Sequence, residues 1–376
     1  MRSSVVHTLV SNINGEKIVC TLRRSVIVIV RRPCFSDFTN RYSNYRVNKN
    51  KKLRIVSWII DFKTGIINTI YAKKMSFQMR TIIVTASNDT FMPLLRGLVN
   101  SLRQFENPLP FSDIGCLDVG LNAENRAWIC SECIGIVEPK WDLPVDTGLR
   151  ECTPHSRSLT ARPFLPDYFP GYDVYIWIDC DAWVQEQFVL EWLSHTSASG
   201  ALGIVAELDR SYDKTLTASW RADRLRRYYD ETAAQEIGAR NYYNAGVFAL
   251  RADAPHWTHW AESFEHGLRA TDGTVVCDQT ALNHAIWSRS LPVHPLPSIC
   301  NWLCHLALPH FDIGSRKFCE PYFPHATIGI LHLAAYTKDL TFRLHNENGP
   351  SPAEISLRFQ GPQAQVVQEK VSELIQ

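Results

Sequence analysis

The stretch YDVYIWIDCDAWV, Tyr172 to Val184, sets Asp179 and Asp181 one residue apart at the end of an unbroken apolar run. Side chains on a strand share a face at i and i+2, so strand geometry carried through Cys180 would bring both carboxylates together. Like charges held close raise one pKa unless a cation sits between them. A divalent metal removes that repulsion. Hard oxygen ligands select Mn2+ or Mg2+, ions that keep open positions for substrate phosphates. The plainer alternative is a pair of solvated turn aspartates. The apolar run in front, Val174 to Ile178, reads as a strand covered on both faces, and ligands in such sheets gather outside the carboxyl ends of the strands.

The elements that must position this pair alternate from Thr81 onward between strand-like and helix-like segments, which predicts an α/β fold with a mostly parallel central sheet and helices on both faces. TIIVTAS is the opening strand. FMPLLRGLVNSLRQF carries Leu94, Leu95, Leu98, Val99 and Leu102 at helical spacing. IGCLDVGL and IGIVEP are short strands around a helical NAENRAWICSEC. RSLTARPFLPDYF is expected to be helical up to Pro166, Gln185 to Ser194 to be a helix, and ALGIVAEL, NYYNAGVFALR and IGILHLAAY to be strands. The charged ASWRADRLRRYYDETAAQEIG reads as one helix with a solvated face, and a short amphipathic helix is expected through Val366, Val367, Val371, Leu374 and Ile375.

Of 376 residues, 45% are hydrophobic and 20% charged, the composition of a soluble globular protein, and the net charge is +1. That balance hides an asymmetry. Residues 1–74 carry 15 Lys/Arg against 3 Asp/Glu, a balance of +12, and the rest carries −11. The basic part contains no apolar run long enough for a membrane span and no signal-cleavage pattern. It is read as a dispensable extension, disordered or non-native, before a catalytic domain over 75–340 and a tail over 341–376; a basic arm for nucleic acid or an anionic membrane is the alternative. No nucleic-acid partner and no transmembrane segment are expected, with peripheral membrane contact left open. Eleven scattered cysteines without a secretory signal argue for reduced thiols and a cytoplasmic location. Cys130, Cys133, Cys300 and Cys304 together would suit a structural zinc, but buried cysteines more often act as small hydrophobes.

Five stretches together resemble glycosyltransferase family 8, retaining enzymes of the GT-A fold that use nucleotide-sugar donors. ASNDTF, Ala86 to Phe91, resembles the donor-binding turn; IWIDCDAWV resembles the metal-binding D-x-D; NYYNAGVFAL is similar to the F-N-A-G-V strand. CDQTALNHAIW is similar to the D-Q-x-x-x-N helix start, and LHLAAYTK resembles H-F-x-G-x-x-K. The resemblance covers roughly Thr81 to Lys338. It implies a GT-A nucleotide-diphospho-sugar transferase fold and a Mn2+ or Mg2+ ion held by Asp179, Asp181 and His332. It also implies donor contacts from Ala86, Asn88, Asp89 and Arg162, with Asn244, Ala245 and Gly246 under the transferred sugar. Asp278 and Gln279 would touch that sugar, Gln279 on the reacting face, and Lys338 would neutralise the leaving diphosphate.

Each of these residues has an ordinary alternative. His332 at a strand end would be a core histidine, Lys338 and Arg162 surface cations, and Asp278 a helix cap. Two departures from the family stand out: Asn88 where an Asp near the nucleobase is common, and Ala335 where a glycine follows the histidine. The implied activity is transfer of a hexose from a UDP-sugar to a glycan or other hydroxyl acceptor. D-x-D after a strand also suits a haloacid-dehalogenase-type phosphatase, although Trp183 stands where that family has Thr or Val. A catalytically weak nucleotide-sugar-binding protein of the same fold is the third reading.

Overall fold

The computed structural model describes residues 79–105, 113–132, 134–213, 215–344 and 353–360, and, for backbone alone, short strands between 7 and 69. The chain divides into two units, Met1–Gln78 and Met79–Gln376. In the first, strands His7–Ile13, Glu16–Arg23 and Val26–Ile29 pair antiparallel in sequence order, and Arg54–Ile55 adds to the last. Trp58–Ile60 and Ile67–Thr69 pair antiparallel in a separate two-stranded sheet. The remaining residues of the basic extension, the expected C-terminal helix from Val366 to Ile375 and Cys133 lie outside the described residues.

The second unit is α/β, built on a seven-stranded sheet. Its strands in chain order are β1 (Thr81–Ser87), β2 (Asp113–Asp118), β3 (Gly135–Val137), β4 (Val174–Ile178), β6 (Leu202–Ala206), β7 (Tyr243–Arg251) and β8 (Val293–Leu296), with β5 (Ala182–Val184) in a separate sheet. The spatial order is β8-β6-β7-β4-β1-β2-β3. All neighbours run parallel except β7, which is antiparallel to both β4 and β6. Reversal of β7 brings its first residues, Tyr243 to Gly246, to the edge where its neighbours end; the amide of Asp179 donates to Gly246 O at 2.8 Å.

Alternation along β4 explains why its sequence is apolar throughout. Tyr175 and Trp177 join one cluster with Trp257, Trp260 and Phe264, and Val174, Ile176 and Ile178 join another with Leu98, Leu190 and Leu193. Helices α1 (Met92–Arg103) and α3 (Phe188–Ser197) supply the second face. Helices α5 (His256–Ala270) and α6 (Asp278–Ser288) supply the first. The helix α2 (Ala123–Ser131) follows β2.

Four local outcomes differ from the sequence reading. The strand β4 ends at Ile178, so Asp179 and Asp181 sit on a turn closed by Ala182 N donating to Asp179 O at 2.9 Å, not on extended strand. The helix expected through Arg162 breaks into Arg157–Ala161 and a tight turn Arg162–Phe164, because Pro163 supplies no amide to continue it. The charged segment is two helices, α4 (Ala218–Tyr228) and Glu231–Gly238, separated by Asp230, whose carboxylate caps the second through Ala233 N at 2.7 Å. The late strand Ile330–His332 (β10) belongs not to the central sheet but to a three-stranded one, between β5 and Trp302–Leu303 (β9). Residues 353–360 also reach the body of this unit: Leu357 is buried and its carbonyl accepts from Trp183 Nε1 at 2.8 Å. Among the described residues no helix is long and apolar enough to cross a membrane.

The packing of α4 on α5 matters for the site. Gly267 on α5 leaves room for the Tyr228 ring, into which a Cβ at that position would collide. The Tyr228 hydroxyl donates to Val275 O at 2.6 Å and accepts from Cys277 N at 2.7 Å, which fixes the loop just before α6. Gly267→Ala is therefore expected to destabilise by ~1–3 kcal/mol, as overpacking does, read as a lowered Tm in a thermal melt. An unchanged Tm would show that Tyr228 is not seated against α5.

Candidate metal centre and amide wall

Asp179, Asp181 and His332 converge from two sheets. Asp179 and Asp181 follow β4, and β10 pairs antiparallel with β5 so that His332 lies opposite Ala182. Leu333 N donates to Asp181 O at 2.8 Å, which closes the two segments together. One ligand atom from each residue lies within 4.8 Å of the other two, and among the described residues this is the one such cluster of metal-ligating side chains. His332 Nε2 is 3.3 Å from Asp181 Oδ1 and 3.7 Å from Asp179 Oδ2. Gly246 forms the floor: a Cβ there would strike His332 Cε1 and approach Asp179 Oδ2 at 2.8 Å. Two carboxylates and an imidazole nitrogen around a cradle that a methyl group would fill suit a divalent cation.

The charges around the pair are arranged to hold it. Asp179 Oδ1 accepts from Trp177 Nε1 at 2.7 Å and from the Arg162 guanidinium, which lies over the Trp177 ring at 4.5 Å. Arg162 is buried and also donates to Asp278 Oδ2 at 2.8 Å and Ala245 O at 3.4 Å. Lys338 Nζ sits 2.7 Å from Asp181 Oδ2 and 5.8 Å above the Phe91 ring. Burial opposes the charged form of Asp181, but His332 and Lys338 more than offset it and hold its carboxyl well below the usual range. Burial pushes Asp179 up, and the neighbouring Asp181 charge adds to the push against the pull of Arg162. Burial alone would lower His332, yet Asp181 and Asp179 raise it.

Beside the metal cluster stands a wall of amides. Gln279 Oε1 accepts from Ala245 N at 3.0 Å, and Gln279 Nε2 donates to Glu207 Oε1 at 2.9 Å. Asn244 Nδ2 donates to the same oxygen at 3.0 Å, and Arg221 on α4 holds Glu207 Oε2 at 2.6 Å. Asp278 begins α6, yet its side chain goes to Arg162 rather than to a cap. In the turn after β1, Asn88 caps Asp89–Phe91 by accepting from Phe91 N at 3.1 Å. Asp89 Oδ1 accepts from Asn122 N at 2.8 Å and Asn125 Nδ2 at 2.9 Å, so it braces the start of α2. Ala86 lies in β1 with little exposure. Ala335 has φ at 55°, a left-handed conformation that costs a non-glycine residue about 1 kcal/mol.

Sequence reasoning did not single out Glu207, Arg221 or Asn301. Glu207 had a readable signal, since it ends the apolar strand ALGIVA as Asp179 ends its own. Asn301, between Cys300 and Trp302, had none. Among the described residues Cys130, Cys300 and Cys304 do not gather as a zinc site would: Cys300 and Cys304 are buried in different apolar clusters and Cys130 is exposed.

No protein-family model matches the chain, and no curated protein matches it. Solved structures do. The galactosyltransferase LgtC in complex with donor and acceptor sugar analogues aligns with a TM-score of 0.46 at 16% identity, over 78% of this chain and 96% of that one. The bifunctional glycosyltransferase WbbM, in its apo structure, aligns with a TM-score of 0.46 at 15% identity, over 76% and 51%. Mouse xyloside xylosyltransferase 1, apo form, aligns with a TM-score of 0.42 at 13% identity, over 68% and 97%.

The His332 shift sets a pH dependence. A raised folded value contributes stability that is full below the unfolded histidine value of about 6.5 and is lost as pH rises through the folded value. A metal needs the neutral ring, so Mn2+ affinity is expected to climb with pH through that same window, with release of a proton from His332. Calorimetric titration with Mn2+ in buffers of different ionisation enthalpy, between about pH 6 and 9, reads both. Affinity independent of pH would remove His332 from the ligand set.

Proposed function

We propose that this chain is a metal-dependent, retaining glycosyltransferase of family 8 that moves a hexose from a UDP-sugar to a glycan or other hydroxyl acceptor. The observation that carries the reading is the convergence of Asp179, Asp181 and His332 within 4.8 Å at the carboxyl end of β4, with Lys338 on one side and the Asn244–Gln279–Glu207 wall close by. Mn2+ or Mg2+ held by the three would act as a Lewis acid toward the diphosphate oxygens.

The chain's own residues supply the rest. Lys338, now the counter-ion of Asp181, carries a positive charge 5.8 Å from the Phe91 ring and would turn to the diphosphate once the carboxylate is otherwise neutralised. Charge grows on that group as the nucleotide leaves, which is where a fixed cation lowers the barrier most. Arg162 keeps Asp179 and Asp278 in place, and Asp278, Gln279, Asn244, Ala245 and Gly246 would line the sugar. Ala86, Asn88 and Asp89 would receive the nucleoside. The bond from the anomeric carbon to the diphosphate oxygen breaks as the acceptor oxygen attacks from the same face. The acceptor's proton passes to the departing phosphate oxygen, and the configuration is retained. Gln279 is poorly suited to a covalent intermediate, because an amide is a weak nucleophile and both ends of this one are hydrogen-bonded.

The test is a panel of nucleotide sugars with wild type and Asp181→Asn, in Mn2+ and in EDTA. The wild type should release UDP from a UDP-hexose in Mn2+ alone, and Asp181→Asn should lower turnover by at least ~10²-fold, as loss of several kcal/mol of Lewis-acid stabilisation requires. Full activity in EDTA would contradict the reading. Phosphate release from phosphomonoesters without any nucleotide sugar would support a dehalogenase-type phosphatase, and UDP binding without turnover would point to a binding protein.

A further inference from the structure

Metal ligands on imidazole need one ring nitrogen bare, and the partner of the other nitrogen decides which. Three buried side chains settle the matter here. The backbone amide of Gly246 donates to Asn244 at 3.0 Å, and a backbone N–H can only donate, so the Asn244 atom it meets is the carbonyl Oδ1. That same Oδ1 is 3.0 Å from Asn301, which must therefore present its Nδ2. The other end of Asn301 is then its carbonyl Oδ1, and this atom lies 3.0 Å from His332 Nδ1. Oxygen faces the ring, so Nδ1 carries the proton. In the neutral ring Nε2 then keeps the lone pair, and it faces Asp179 and Asp181.

The far end agrees independently. With Oδ1 assigned toward Gly246, the Asn244 Nδ2 meets Glu207 Oε1 at 3.0 Å, a carboxylate oxygen that accepts and is paired through its other oxygen with Arg221. Every donor meets an acceptor in this one polarity; reversing either amide sets donor against donor or acceptor against acceptor. Asn301 is fully buried, and Asn244 and His332 are nearly so, so water cannot take the place of a misdirected amide.

We infer that Asn244 and Asn301 are positioning residues, a hydrogen-bond relay of fixed polarity that runs from the Gly246 amide to His332 Nδ1 and presents Nε2 to the metal. The relay rests on the proposed metal site for its purpose. It also ties the amide wall to the metal, because Glu207 accepts from both Asn244 and Gln279.

Two measurements test it. Long-range 15N correlations of the histidine rings in the metal-free protein at alkaline pH, with His332→Gln for assignment, read the tautomer directly. A protonated Nδ1 and bare Nε2 are expected; the opposite tautomer would overturn the relay. Mn2+ affinity is then followed by electron paramagnetic resonance for wild type, Asn301→Leu and Asn301→Asp. Asn301→Leu leaves Nδ1 without an acceptor and should weaken Mn2+ binding roughly 10- to 100-fold. Asn301→Asp keeps an acceptor at Nδ1 but turns an oxygen toward Asn244 Oδ1, so it should bind more tightly than the Leu variant and more weakly than wild type. Wild-type affinity in the Leu variant, or equal loss in both, would show that Asn301 serves packing alone. A variant that fails to fold leaves the spectrum of the wild type to decide. If wild type binds no Mn2+ while its spectrum shows Nδ1 protonated, the metal reading fails and the tautomer lock stands.

Discussion

Asp179 and Asp181 bring two carboxylates onto one turn at the foot of a buried strand, largely shielded from water. Such a pair is unfavourable unless positive charge is brought to it. Three basic side chains from distant parts of the sequence answer that constraint: Arg162 for Asp179, Lys338 for Asp181, and His332 between the two. Much of the surrounding architecture follows from it. The broken helix at Pro163 delivers Arg162, the three-stranded sheet delivers His332, and the loop through Ala335 delivers Lys338.

The reversed strand β7 is what lets the fold meet this demand. If β7 ran parallel to its neighbours, its Asn244, Ala245 and Gly246 would lie at the opposite edge of the sheet. Reversed, it sets the bare backbone of Gly246 beneath His332 and Asp179, and aims Asn244 between Glu207 and Asn301. Asn244 and Gly246, two residues apart on β7, thus meet both groups, Gly246 beneath the acidic cluster and Asn244 bonded to Asn301 and Glu207.

Those features that rest on local pattern were legible in the sequence. The apolar run of β4, the helical spacing of α1 and the acidic pair at a strand end each follow from periodicity and residue type. His332, Lys338, Asn244 and Asp278 became candidates through resemblance, because nothing within a few residues of each reveals its partner. Strand direction is not encoded in an apolar run, so the reversal of β7 could not be read from NYYNAGVFAL. The turn after Ile178 escaped for a related reason: the two aspartates converge through a backbone bend that the i and i+2 rule does not describe. Asn301 lay hidden most completely, since a buried asparagine between Cys300 and Trp302 gains meaning only from His332, 31 residues away.

The central claim is that a single divalent ion is held by Asp179, Asp181 and His332 and joins them to a nucleotide diphosphate. Anomalous diffraction at the manganese edge from crystals soaked with Mn2+ and UDP tests this most directly. The account predicts one strong peak about 2.0–2.3 Å from an oxygen of each carboxylate and from His332 Nε2, shared with oxygens of both phosphates. A peak elsewhere, bonding through Nδ1, or UDP bound with no ion between it and the two aspartates would contradict it.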